Sequence, residues 1–111
     1  MNVRDWILQH APAPKTPAAL TERMLAFLGD DARRDATEAG EACLSAAARA
    51  LETLLQAGRF ERDSALDLLA VDALTTFAFA HASERARSER ELREFSDDGA
   101  RRLGRLALQR V

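Results

Sequence analysis

Apolar and polar positions along this chain fall into helical periods over most of its length, and the period is most insistent from Ser64 to Ala82. At about 100° per residue, Leu66, Leu69, Ala70, Ala73, Leu74, Phe77 and Ala80 recur at intervals of three and four and form one apolar strip. Leu68, Val71, Ala78 and Phe79 form a second strip on roughly the opposite side. A helix of this length spans about 28 Å, and one that is apolar on two sides needs neighbours on two sides, from its own chain or from a second copy. The stretch therefore predicts the central helix of the fold. Two acids interrupt it. Asp67 follows Ser64 by three in a capping-box-like arrangement. Asp72 is flanked by Leu68, Val71 and Phe79, so it either reaches water at a strip boundary or belongs to a cleft or contact surface.

Before the central helix, Asn2 can cap a short helix, VRDWILQH, whose Val3, Trp6, Ile7 and His10 share one narrow face. Eight residues do not hold a helix in water unaided, so this segment must dock, with Trp6 as its anchor. APAPKTP then reads as an extended connector. Thr16 caps a helix Pro17 to Leu28 that presents Leu20, Met24, Phe27 and Leu28 on one side, and Gly29 ends it. A longer helix is expected to begin at Asp30 or Asp31 and to close at Gly58. Its stripe of Cys43, Leu44, Ala47, Ala50, Leu51, Leu54 and Leu55 begins with small side chains that let another helix come close. Phe60 is placed under the following turn, and Asp63 or Ser64 caps the central helix.

Residues 83–94 are almost wholly charged with alternating sign, a pattern of exposed helix supported by pairs such as Glu89 with Arg93. They either extend the central helix or start a new one. Phe95, Gly99, Leu103 and Leu106 then restore a stripe that ends near Arg110. These segments together predict an all-α fold: a compact antiparallel bundle of three to five helices with a short N-terminal docking helix. Residues 1–15 form the docking helix and Pro-rich connector, and residues 16–111 one bundle domain. The expected core is Leu20, Met24, Phe27, Cys43, Leu44, Leu51, Leu54, Leu66, Leu69, Phe77 and Leu103.

Composition narrows the picture. A chain of 111 residues carries one core and no second domain. The net charge of -2 argues against a surface built as a whole to hold nucleic acid or an anionic membrane. A lone Cys43 excludes an intrachain disulfide and fits a reducing compartment. No uninterrupted apolar run of spanning length and no basic amino end leading into an apolar segment stands in the sequence, so the expected location is cytoplasmic.

Candidate chemistry is sparse. Neither His10 nor His81 has an acid three residues before it, there is no CxxC or HExxH, and Glu38 with Glu41 lacks a matching ExxD in the central helix. No cofactor, metal ligand or catalytic residue is therefore assigned. Cys43 lies on an apolar face as a small hydrophobe, and His81 is expected to pack one edge and bond a free carbonyl. Arg101, Arg102 and Arg105 could offer phosphate contacts near the carboxyl end, where the helix dipole also favours basic residues. The reading that follows is a non-enzymatic interaction or structural module, a homodimer or the partner of another protein, with Leu68, Val71, Asp72 and Phe79 in its contact surface. The alternatives are a nucleic-acid-binding accessory protein using the basic C-terminal helix, and a small enzyme with a pocket near Asp72 or His81.

Overall fold

A computed structural model describes residues 1–11, 15–58, 62–85 and 89–108, with the side chains of these segments apart from those of residues 62, 63, 89–92 and 108. Five α-helices run through the described residues: α1 (Val3–His10), α2 (Ala18–Leu28), α3 (Ala39–Ala57), α4 (Arg62–Arg85) and α5 (Glu89–Leu108). The fold is an all-α bundle in which α4 lies against α3 along its length and also meets α2 and α5.

The short α1 survives because it is tied at several points. The Asn2 side chain accepts from the Asp5 amide at 2.9 Å and caps the helix. Val3, Trp6 and Ile7 are buried. The backbone before α1 pairs with residues 34–36: Val3 N–H donates to Arg34 O at 2.8 Å, and Ala36 N–H donates to Met1 O at 3.0 Å. That pairing also explains the largest departure from the expected helix boundaries. Residues 30–38 do not belong to α3 but form two 3-10 turns, Gly29–Arg33 and Ala36–Glu38, separated by extended backbone at Arg34 and Asp35. Asp35 accepts from both the amide and the hydroxyl of Thr37, which hold its carboxyl below the ordinary range and start the second turn.

Other starts and stops also differ. Thr16 does not cap α2; the N-cap is Pro17, whose carbonyl receives Leu20 and Thr21. Gly29 ends α2 with φ 54°, a backbone that favours glycine. α4 includes Arg62, so Asp63 and Ser64 lie inside the helix and neither is its N-cap. α4 runs on to Arg85, so residues 83–85 extend it, whereas residues 89–94 belong to α5, a second helix that folds back to set Phe95 against Phe79. The placements given to Phe60 and to the end near Arg110, the connector at residues 12–14, and the side-chain pair of Glu89 with Arg93 lie outside the described residues.

The core lies mainly between α3, α4 and α2. The first part of α3 buries Ala39, Gly40, Ala42, Cys43, Ala46 and Ala47, so neighbouring helices come close there. A Cβ added at Gly40 would lie 3.4 Å from the Ala78 carbonyl of α4, and one at Gly99 of α5 would lie 3.5 Å from Leu44. Of the expected core, Met24, Cys43, Leu44 and Leu54 are buried, and Leu20, Phe27, Leu51 and Phe77 pack against it half-buried. Leu66 and Leu103 are half-buried. Leu69 is a correction: it is 57% exposed. The buried line of α4 is Ala70, Val71, Leu74, Ala78 and His81. It runs between the two expected strips, because a helix apolar around most of its circumference gives the period no single side to choose.

Candidate functional site

The described part of α4 divides into a face held by the bundle and a face left open. Ala65, Leu68, Leu69, Asp72 and Thr76 are all exposed, and at 100° per residue they fall on one side, opposite Leu74 and Ala78. Of the residues expected to form a contact surface, Leu68 and Asp72 are on this open face. Val71 and Phe79 are not. Val71 is buried in the core, and Phe79 is half-buried, its ring edge-on to Phe95 of α5 with centroids 5.4 Å apart. A glycine at position 99 lets α5 come down on Phe79, whose ring tip lies 3.3 Å from the place of a Cβ there. The side of α4 toward Val71 and Phe79 is therefore covered within the chain, and the exposed apolar surface is centred instead on Leu69. Its low charge is why α4 is also, among the described residues, long and apolar enough by length and composition to cross a membrane. In the bundle, however, α2, α3 and α5 all pack on it.

At the far end of α4, His81 is 6% exposed and both ring nitrogens are used. Gly40 N–H, at the first turn of α3, donates to Nδ1 at 3.0 Å, and Nε2–H donates to the Ala36 carbonyl at 2.9 Å. This pattern requires the neutral ring with its proton on Nε2. The histidine thus satisfies a helix-start amide that α3 cannot pair by itself. Trp6 stands edge-on to both His81 (5.2 Å) and Phe77 (6.0 Å), and His10 stacks on Trp6 at 4.1 Å while its Nδ1 reaches Trp6 O. Sequence alone pointed to a packed His81 bonded to a carbonyl. The second bond, to an amide of Gly40, had no local signal, because its partner lies 41 positions away.

The structure does not bring Asp72 and His81 together. One is on the open face and the other is beneath α1 with its nitrogens engaged by backbone, so the pair forms no acid-base constellation. Of the three arginines expected to offer phosphate contacts, Arg102 and Arg105 line one open groove and Arg101 does not. Arg102 bonds Glu41 at 2.8 Å and Asp98 at 3.0 Å, and Arg101 reaches back to Asp97 O. That groove lies between α3 and α5, where Arg49, Glu52 and Leu106 stand with Arg102 and Arg105. Arg49 is itself paired with Asp31. Glu38 and Glu41 pair with Arg34 and Arg102, and no cluster of metal-ligating side chains occurs among the described residues.

Asp67 sits between α4 and α2, 3.2 Å from the Arg23 guanidinium. Its Oδ1 is inaccessible yet makes no well-directed hydrogen bond, so the contact is an ion pair of poor angle and not a strong bridge. Cys43 is fully buried, and burial pushes its thiol up to about 12. Native protein is therefore expected to resist thiol reagents near neutral pH and to react fully once unfolded in denaturant. Rapid labelling of the native chain would mean that the α3 interface is open. Compared with known proteins, the chain matches no family model, and no curated protein or solved structure matches it either.

Proposed function

We propose that this chain is a non-enzymatic helical interaction module that self-associates as a homodimer through the open face of α4. The supporting observation is Leu69, 57% exposed beside Leu68 at 38%, in the first half of the helix on which the bundle is built. Exposed apolar surface of this kind is a liability unless something covers it. A second copy is the simplest cover, because a two-fold pairing buries the same patch on both chains. An antiparallel pairing centred on Leu69 puts the two Asp72 residues on opposite sides of that centre, so the two carboxylates stand apart. Small neighbours at Ala65 and Thr76 let the two helices approach. Nucleic-acid binding through α5 has less support, since Arg102 is committed to Glu41 and Asp98.

Thermal unfolding at two concentrations about a hundredfold apart tests the reading. Association of native chains raises the midpoint with concentration, and Leu69→Glu should abolish that dependence while leaving the dilute protein nearly as stable. A midpoint that does not move with concentration in the unsubstituted chain would remove the dimer.

A further inference from the structure

We propose that His81 is an acid-sensitive latch: protonation of its ring releases α1, together with the turn Ala36–Glu38, from the rest of the bundle. The geometry carries this. One buried ring spans the Gly40 amide of α3 and the Ala36 carbonyl of the turn, and the Ala36 amide in turn holds the Met1 carbonyl in front of α1. His81 is thus the buried joint that, beside the Trp6–Phe77 and His10–Glu84 contacts, fixes the amino-terminal segment to α3 and α4. As an imidazolium it has a donor on each nitrogen. Nδ1–H would then face Gly40 N–H at 3.0 Å, donor against donor, and the ring has to leave its seat. The ring supports Trp6 edge-on, so moving it loosens the anchor of α1. An eight-residue helix detached from its seat does not persist in water. Burial of Val3, Trp6 and Ile7 is opposed by the entropy of ordering the segment, and a modest change at the joint can tip that balance.

The surrounding charges set the direction. Burial, the largest influence, pushes His81 below its ordinary 6.5; the Ala36 carbonyl raises it, Arg85 lowers it, Glu84 raises it and His10 lowers it. Asp35 and Glu38 flank Ala36 in the turn, and Glu41 lies in the first turn of α3, with Glu38 and Glu41 tied to Arg34 and Arg102. Since the closed state binds the proton more weakly than the open one, closure is fully favoured above about 6.5 and is lost as pH falls towards the depressed closed-state value. Within that window the open-to-closed ratio grows by up to about tenfold per pH unit. His10 is a second ionisable ring beside α4, its Nε2 3.4 Å from Glu84.

Trp6 is the only tryptophan and reports the event directly. The test is acrylamide quenching and emission wavelength of Trp6 from about pH 7.5 to about pH 4.5, with far-ultraviolet circular dichroism on the same samples, in the unsubstituted chain and in His10→Gln. The expected result is an exposed, red-shifted Trp6 in both, with a loss of helical signal no larger than α1 accounts for. The change should track the nuclear magnetic resonance titration of the His81 ring, and it should vanish from this range in His81→Gln. If His81→Gln fails to fold, the coincidence with the His81 titration decides alone. Loss of Trp6 burial and of all helical signal in one step, a transition that persists in foldable His81→Gln, a midpoint apart from that of His81, or no change at all would each overturn the latch.

Discussion

Leu74→Ala is expected to destabilise the fold by about 2–5 kcal/mol, whereas Leu69→Ala in dilute protein should cost less than about 0.5 kcal/mol. Both are leucines of the same helix and the same apolar strip, five residues apart, and of the two only Leu69 is placed in the core by sequence. Burial reverses that. Leu74 is fully enclosed on the side of α4 that joins the core, so truncation loses transfer energy and leaves a cavity that relaxes only in part. Leu69 stands mostly in solvent, and its truncation removes little buried area. A urea titration comparing the two midpoints at unchanged slope is the check. Equal costs would put the buried side of α4 elsewhere.

Gly40→Ala should destabilise by about 1–3 kcal/mol, against the ordinary helix preference for Ala over Gly of up to about 1 kcal/mol. The added Cβ would lie 2.9 Å from His81 Nδ1, closer than such atoms come, and the ring cannot swing aside without giving up its bonds to Gly40 and Ala36. The two positions are therefore coupled. In a His81→Ala background the clash disappears, and the same Gly40→Ala change should become neutral or stabilising. His81→Ala alone is costly, because it strands a buried amide and a carbonyl. Additive effects of the two substitutions would mean that Gly40 and His81 do not touch.

What could be read from the sequence divides along the same physical lines. The α3 stripe was legible because its apolar and polar sides are distinct, and its small residues correctly foretold a close helix crossing. On α4 the period was present but its direction was not, since the helix is apolar nearly all round and the true buried line takes Ala70 and Leu74 from one expected strip and Val71 and Ala78 from the other. Covering Phe79 with Phe95 and Gly99 depends on where α5 crosses, and no single helix encodes that. The break at residues 34–36 was hidden for a different reason: it is made by backbone pairing with Met1 and Val3, and its side-chain sign is only the local cap of Asp35 on Thr37. The candidate face changed accordingly. Leu68 and Asp72 remain on it, Val71 and Phe79 leave it, and Leu69 becomes its centre.

Sedimentation equilibrium over about a hundredfold range of concentration addresses self-association through α4 most directly. The open face around Leu69 predicts a reversible species of twice the 12.2 kDa chain mass, reduced to the single chain by Leu69→Glu and little affected by neutralising Arg105. A species fixed at 12.2 kDa at every concentration, or a dimer indifferent to Leu69→Glu, would contradict it.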